Sequence, residues 1–334
     1  MLRVSNLIAV VFITVAIPAL AISGEAGYSV VDRIPGPDGS YDYISVDGAK
    51  QRVFVARSNG VMAIDLATRT VTPTLVAGEG VAAVEIISGT DLMLATNGES
   101  NMATLFDRNS GRVKARIPTG KEPDAALFDA ASGLAFVMNW ENEDVTLINV
   151  AREAVVATIA VGGKPEAAAS DGEGHVYVNI RDTAEIVVID VSRRRVARRY
   201  ALPGCEEPTG LAYDPDTRLL VSACHNGTAK LIDAVTGTDR GSVRIGQGAD
   251  GAIFDVPRRL VYIPCFDGTL AIFPLEREGR AGMVTTVNTQ KGARTAALDG
   301  ETGRLYLPTA EYRTDSEGKR HRVPNTFTVL VVAP

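Results

Sequence analysis

One sequence pattern occurs about seven times along this chain of 334 residues. In each copy a short alternating strand closes on an acidic residue, a second apolar strand ends near Asn or Asp, and a third ends in Asp-x-x-(Thr/Ser)-Gly or a close variant. The strand-closing positions, 38 to 44 residues apart, are Asp47, Glu85, Asp129, Asp171, Asp214, Asp255 and Asp299. A period of this length holds four short strands, which make one propeller blade. The sequence therefore predicts an all-β, seven-bladed β-propeller of four-stranded antiparallel blades.

The two ends of the repeat region predict how the ring closes. The last copy ends with TFTVLVV at residues 326–332, which leaves one outer strand of blade seven missing. Residues 28–34 precede blade one and alternate as a strand does. An unpaired sheet edge is a liability for a soluble protein. We therefore predict that this N-terminal segment completes blade seven and closes the ring.

The first residues of the chain have the pattern of a secretory signal peptide. Arg3 supplies a positive start, residues 7–17 form a short apolar run, and Ala-Leu-Ala at 19–21 is a small-x-small cleavage site. The run is short for a membrane span, and no Cys follows the cleavage site to carry a lipid. We predict a signal peptide at 1–21 and a single propeller domain at 22–334, periplasmic or secreted and without a membrane span.

The charge of the chain argues against one class of partner. The formal net charge is −6, and it becomes −7 when the single charged residue of the signal peptide, Arg3, is removed. Proteins that bind nucleic acid generally present a basic surface to the phosphates. We therefore do not expect general affinity for nucleic acid.

The loops on one face of the predicted propeller carry most of the chemically interesting side chains. In a propeller the loops that enter the innermost strands, and the turns between the second and third strands, ring the mouth of the central channel. Charged groups at a concave mouth form the default site for a small polar ligand. The predicted ligand-binding residues are Lys121, Glu122, Asp124, Lys164, Glu166, Glu206, Glu207, Asp250, Asp267, Lys291, Arg294 and Glu311.

The Asn and Asp residues of the turns also have a simpler interpretation. Asn-Gly and Asp-Gly favour type I′ hairpins. The dipeptides in question are Asn59-Gly60, Asn97-Gly98, Asn226-Gly227 and Asp267-Gly268. Asn139 and Asn179 occupy the corresponding place in two further blades. A structural role in the turn and a role in binding both remain open for these residues.

Three cysteines are meaningful in an exported chain. Cys205 lies in the loop entering blade five and Cys224 at the end of that blade's second strand, so both belong on one face of one blade. We predict a Cys205–Cys224 disulfide, which leaves Cys265 unpaired. The alternative is a soft-metal site formed by the three cysteines and His225.

Several segments resemble a known repeat family. PDAALFDAASGLAFVMN, PTGLAYDPDTRLLVSAC and ARTAALDGETGRLYLPTAEY resemble repeats of the YVTN-type seven-bladed β-propeller family. The ending VPNTFTVLVV is similar to that of its exported bacterial, YncE-like members. The resemblance covers roughly residues 28–332 and implies the fold, whereas the roles of family members vary.

Three functional hypotheses follow. The first is a non-enzymatic, monomeric scaffold that binds a small molecule or a protein on its loop face, with no cofactor. The second comes from the resemblance to lactonase-like propellers, which hydrolyse lactones with a divalent cation. Its ion would be held by Asp124, Glu166, Asp250, Asn139 and Asn179, with Lys164 or Arg294 polarising a carbonyl. The third is a soft-metal or redox-linked role of Cys205, Cys224, His225 and Cys265.

Overall fold

A computed structural model describes residues 27–316 and 318–334. These residues form seven four-stranded antiparallel sheets and one two-stranded hairpin. None of them belongs to a helix, so none provides a helix able to cross a membrane. The predicted signal peptide at 1–21 lies outside the described residues. The prediction of an all-β, seven-bladed propeller is confirmed.

In blades one to six the strands of each blade follow one another along the chain. A first strand, β1 (Ser29–Pro35), precedes blade one. Blade one consists of β2 (Ile44–Asp47), β3 (Arg52–Arg57), β4 (Gly60–Asp65) and β5 (Val71–Ala77). Blade two consists of β6 (Val81–Ile86), β7 (Leu92–Asn97), β8 (Met102–Asp107) and β9 (Val113–Pro118). Blade three consists of β10 (Pro123–Asp129), β11 (Leu134–Asn139), β12 (Asp144–Asn149) and β13 (Ala154–Ala160). Blade four consists of β14 (Pro165–Ser170), β15 (His175–Ile180), β16 (Glu185–Asp190) and β17 (Arg195–Ala201). Blade five consists of β18 (Pro208–Asp214), β19 (Leu219–Cys224), β20 (Thr228–Asp233) and β21 (Asp239–Arg244). Blade six consists of β22 (Ile253–Asp255), β23 (Leu260–Cys265), β24 (Thr269–Pro274) and β25 (Thr285–Asn288).

Blade seven is assembled from both ends of the chain. Its strands, from the channel outwards, are β26 (Ala297–Asp299), β27 (Arg304–Thr309), β30 (Thr328–Ala333) and β1. Strand β1 pairs antiparallel with β30, from Ser29 opposite Ala333 to Pro35 opposite Thr328. The predicted ring closure is therefore confirmed. A hairpin of β28 (Tyr312–Thr314) and β29 (Arg320–Arg322) is inserted between β27 and β30.

The hydrophobic core lies between neighbouring blades. The second and third strands of each blade are buried on both faces, whereas the outer strands β9, β13, β17 and β21 are exposed over most of their length. Large side chains fill the spaces between the sheets, with Phe54, Phe106, Phe136 and Tyr262 fully buried. Apolar burial on this scale is the main source of stability for a repeat fold.

The acidic residues that close the innermost strands hold the blades together on the face opposite the channel mouth. The Asp129 carboxylate accepts the backbone N–H of Ser132 at 3.0 Å, which fixes the turn. Other members reach the next blade: Arg259 pairs with Asp214 at 2.7 Å, and Arg108 pairs with Asp47 at 3.2 Å. The repeated acid is therefore a structural clamp.

The turns differ from the predicted type I′ hairpins. The connection before Gly60 has two residues, Ser58 and Asn59, and Gly60 is already the first residue of β4, whereas the loops holding Asn226-Gly227 and Asp267-Gly268 have three residues. Gly227 and Gly268 adopt φ of 79° and 97° there, a conformation that glycine reaches without strain. Asn97 is not in its turn at all but is the buried last residue of β7.

Glu85 departs from the clamp pattern. Its carboxylate accepts the backbone N–H of Phe128 at 3.2 Å and lines a cavity of about 190 Å³ in the channel. Burial raises the pKa of Glu85 to about 7, partly offset by that hydrogen bond. Because the pKa is raised on folding, the folded state binds the proton more tightly than the unfolded state. The carboxylate form therefore destabilises the protein, and the penalty develops as the pH rises from about 4.5 to 7.

We expect the substitution Glu85→Gln to stabilise the protein at high pH only. The amide keeps an acceptor for Phe128 but carries no charge, so the free energy of unfolding should rise by about 1–2 kcal/mol at pH 8 and be unchanged near pH 4. Urea unfolding across this pH range measures the difference. Glu278→Gln, at an exposed position, is the control and should give no pH-dependent gain. A gain for Glu85→Gln that is equal at pH 4 and pH 8 would contradict the assignment.

Candidate functional site

A cavity of about 460 Å³ lies at the channel mouth, where the loops entering the innermost strands meet. Its volume is in the range of pockets that hold small ligands, about 300–1,000 Å³. The turns of each blade are bonded to these loops: the N–H of Trp140 donates to the Glu122 carbonyl at 2.9 Å, and that of Arg181 to the Lys164 carbonyl at 2.9 Å. Loops and turns therefore share one face, as the sequence predicts.

A repeated irregularity in the innermost strands aims side chains into this cavity. In blade three Pro123 pairs with Asn139, and the register then shifts before Ala126 pairs with Val137. The same shift occurs in blades two, four and five. A β-bulge of this kind re-aims the residue that it releases from pairing. The residues at this position, one for each blade, are Asp42, Ala82, Asp124, Glu166, Thr209, Asp250 and Arg294, and we call them the mouth ring. The five charged members line the cavity, whereas Ala82 and Thr209 do not.

The mouth ring contains four carboxylates and one guanidinium. Arg294 Nε lies 2.9 Å from Asp250 Oδ2, and its Nη2 lies 3.6 Å from Asp42 Oδ2. A second cation, Arg181 from the turn of blade four, joins Glu166 at 3.0 Å. The fourth carboxylate, that of Asp124, makes no ion pair or hydrogen bond within the described residues. The cavity therefore has four acids against two arginines, and full ionisation of the acids would leave negative charge that the arginines do not balance.

Burial and mutual repulsion show in the pKa values of these acids. Burial, with smaller repulsion from Asp250 and Asp124, raises the pKa of Asp42 to about 8 against the attraction of Arg294. Burial and then Asp250 raise the pKa of Asp124 to about 6. Burial followed by Asp124 and Asp250 holds the pKa of Glu166 well above its ordinary value. The acids of the ring thus repel one another across the cavity.

Tyr43 stands at the bottom of the mouth cavity. Its hydroxyl is buried and has no hydrogen-bond partner among the described residues. Burial is the main cause of its raised pKa, and all four carboxylates of the mouth ring add to it. Tyr43 also lines the cavity that contains Glu85, so its side chain stands between the two cavities. We call Tyr43, Arg181 and the four acids of the ring, together with Arg294, the cavity floor.

Exposed residues surround this floor. The rim consists of Glu122, Asp267, Lys291 and Arg320, whose opposite charges balance. Two aromatic walls each lie beneath a cation. Lys164 Nζ is 3.6 Å from the centre of the Trp140 ring. The Arg320 guanidinium lies 4.4 Å above Phe266, carried there by the β28–β29 hairpin.

The structure brings most of the predicted ligand-binding residues to this cavity. Those that line it are Glu122, Asp124, Glu166, Asp250, Asp267, Lys291 and Arg294, together with His225. Lys164 and Glu207 lie one contact away, since Lys164 covers Trp140 and Glu207 binds Arg181 at 2.5 Å. The remaining three, Lys121, Glu206 and Glu311, are exposed and do not line the cavity.

Sequence reasoning missed Asp42, Tyr43, Arg181 and Arg320. The repeat register contained the signal for Asp42, because Tyr41-Asp42-Tyr43 opens blade one as Pro123-Asp124-Ala125 opens blade three. Arg181 and Arg320 lie in a turn and an insertion, whose geometry the repeat does not fix.

Asn139 and Asn179, proposed above as ligands of a divalent cation, are fully buried inside the sheets. Asn139 Nδ2 donates to Asp144 at 2.7 Å and to Thr146 at 2.8 Å. Asn179 Nδ2 donates to the backbone of blade five, at 2.9 Å for the Gly210 carbonyl. Neither lines the mouth cavity. In the described part of the chain no three His, Cys, Asp or Glu side chains converge on one point as metal ligands.

The predicted disulfide is confirmed. Cys205 and Cys224 are joined with an S–S distance of 2.05 Å, and Cys265 is a buried thiol. Burial, with a smaller contribution from Asp267, raises the pKa of Cys265 to about 12. With two of the three sulfurs oxidised, the cysteines do not form the soft-metal set, and His225 faces the mouth cavity instead.

The comparisons with known proteins agree with the fold. No protein-family model and no curated protein matches the sequence. Among solved structures, the chain is similar to the RRP9 WD40 repeats, with a TM-score of 0.77 and 11% identity over 92% of this chain and 100% of that chain. It is also similar to U3-55K, with a TM-score of 0.74 and 12% identity over 91% and 99% of the two chains. A third similar structure is hydrazine synthase of Kuenenia stuttgartiensis, with a TM-score of 0.69 and 15% identity over 92% of this chain and 99% of that chain. At these identities the similarity shows the propeller fold alone.

Proposed function

We propose that this protein is an exported, non-enzymatic scaffold that binds a small polar ligand in the mouth cavity. The observation that carries the proposal is the mouth ring. Buried or half-buried acids from four blades surround one cavity and face only two arginines. Ionising all four acids there costs free energy, because the charges lie away from water without enough opposite charge, and this cost raises their pKa values. A ligand that supplies the missing interactions would recover that cost.

Export is supported by two features. The Cys205–Cys224 disulfide is of a kind that persists in oxidising compartments. The first residues of the chain follow the pattern of a signal peptide. We infer that the protein works in the periplasm or outside the cell.

A thermal-shift screen of the mature protein tests the binding function. The screen should contain amines, sugars, carboxylates, lactones and divalent cations, with and without chelator. A true ligand at about 100 times its dissociation constant stabilises the folded state by about 2.7 kcal/mol. We expect the shift to be lost or reduced in two variants, Trp140→Ala, which removes an aromatic wall of the cavity without changing its charge, and Asp124→Asn.

The exposed Glu278→Gln is the matched control and should keep the full shift. If no compound gives a shift that depends on the two cavity variants, the proposed function is wrong. If instead a lactone is consumed, and chelator abolishes its turnover while a divalent cation restores it, the protein is the hydrolase of the second hypothesis.

A further inference from the structure

We infer that the ligand of the mouth cavity is a small organic cation, and that its protonated amine binds on the cavity floor among Asp42, Asp124 and Asp250. This inference rests on the function proposed above and specifies its ligand. Three observations support it: the position of the negative charge, an unpartnered hydroxyl, and the size of the space between the acids.

The acids outnumber the cations only at the bottom of the cavity. The rim has two acids and two cations, whereas the floor has four carboxylates and two guanidiniums. Arg181 is further shared with Glu207 outside the floor. A ligand with one charged end therefore gains most when its cation is at the bottom. Asp124, which has no ion pair, is the acid with most to gain.

The Tyr43 hydroxyl is a second observation that points to a polar ligand. Tyr43 lines the cavity, and its hydroxyl, which can donate or accept a hydrogen bond, is buried and finds no partner among the described residues. Buried polar groups in native proteins almost always have hydrogen bonds. An ammonium group has three N–H donors and no acceptor, so it can serve a hydroxyl oxygen and two carboxylates at once.

The dimensions of the cavity favour an organic cation over a metal ion. A calcium ion needs six to eight oxygens at about 2.3–2.6 Å, whereas the acids of the floor come from four different blades around about 460 Å³. Trp140 also lines the cavity, and the part of its indole that Lys164 leaves uncovered offers apolar surface to the hydrocarbon part of an amine. The cavity thus matches a ligand with an ammonium head and an apolar or polar body.

Matched pairs of probes test this inference by calorimetry at pH 8. The pairs are 1,4-diaminobutane with 1,4-butanediol, and 2-phenylethylamine with 2-phenylethanol, which differ in charge but hardly in shape. We expect at least one amine to bind ten or more times more tightly than its alcohol. Asp124→Asn should weaken that amine at least tenfold, and Glu278→Gln should leave it unchanged.

Measuring the stability of Asp124→Asn shows whether weaker binding comes from the missing carboxylate or from a less stable fold. Because Asp124 has no ion pair and its pKa is raised to about 6, the variant should be at least as stable as the original protein at pH 8. A variant that unfolds at lower temperature would not be informative, and Asp124→Ser would then replace it.

Proton release supplies a second measurement. An ammonium on the floor favours the charged forms of Asp42 and Asp124, whose pKa values are about 8 and 6. Their charged neighbours are Asp250, Glu166, Glu122, Arg294 and Arg181. Binding should therefore release protons between pH 6 and 8, which makes the heat of binding depend on the ionisation enthalpy of the buffer. Asp124→Asn should reduce the number released.

The outcomes distinguish this inference from the proposed function. If neither amine exceeds its alcohol but another compound gives a shift that Asp124→Asn abolishes, the ligand class is wrong and the binding function stands. If an amine binds equally well to Asp124→Asn, its site is elsewhere and the inference fails. If no compound of any class depends on the cavity variants, both fail.

Discussion

In a chain that begins at residue 22, deletion of residues 22–36 is expected to unfold the propeller. Strand β1 covers the outer edge of β30, whose residues from Thr328 to Ala333 are all buried. Its loss removes six paired positions at about 1 kcal/mol for each hydrogen bond and exposes an apolar strand edge. A loss of about 5 kcal/mol is comparable with the total stability of a typical domain. Urea unfolding and size-exclusion chromatography should show a destabilised, aggregating protein.

A variant that begins at Tyr28 is the control. It keeps every residue of β1 that pairs with β30 and should unfold like the chain that begins at residue 22. Closure by β1 would be unimportant if the deletion variant kept the same cooperative transition at the same urea concentration.

Loss of the disulfide is expected to have the next largest effect on stability. Cys205 and Cys224 are 19 positions apart, and closing a loop of this length stabilises a protein by about 3 kcal/mol in the chain-entropy model. The double variant Cys205→Ala and Cys224→Ala should lose about this amount. It should also bind ligand more weakly, because Glu207 in the same loop holds Arg181 at the cavity. Urea unfolding with and without reductant measures the first effect.

Two controls accompany that experiment. Reductant should destabilise the original protein and leave the double variant unchanged. The variant Cys265→Ala, which lacks the buried free thiol, should respond to reductant as the original protein does. Denatured, unreduced protein should react with one equivalent of a thiol reagent; three equivalents would show that the disulfide is absent.

The fold was predictable because the same strand pattern recurs about seven times in the sequence. Each copy has too little apolar surface to be stable alone, so the period, the alternation of the strands and the closing acids all specify one architecture. Even the closure of blade seven followed from counting strands. The turns were less predictable. Asn97, Asn139 and Asn179 lie at strand ends where buried hydrogen bonds hold them, and tertiary packing overrides the turn preference of Asn.

The candidate site was predictable only where it follows the repeat. Asp124, Glu166, Asp250 and Arg294 share one repeat position, so their convergence could be deduced from the register. Arg320 reaches the rim through an inserted hairpin, and no repeat specifies where an insertion folds. Which acid of the floor is left without an arginine, here Asp124, depends on distances that the sequence does not contain.

The pairing of Ser29 with Ala333 also suggests the order in which the blades form during folding. Blades one to six can form from neighbouring hairpins as soon as their own strands are available. Blade seven must wait for the final strand, because its outermost strand comes from the other end of the chain. The entropic cost of such a long closure grows only with the logarithm of its length, whereas contacts between distant residues slow folding strongly. We therefore expect β1 and β30 to pair last, so that the outer edge of β30 stays unpaired until the ring closes.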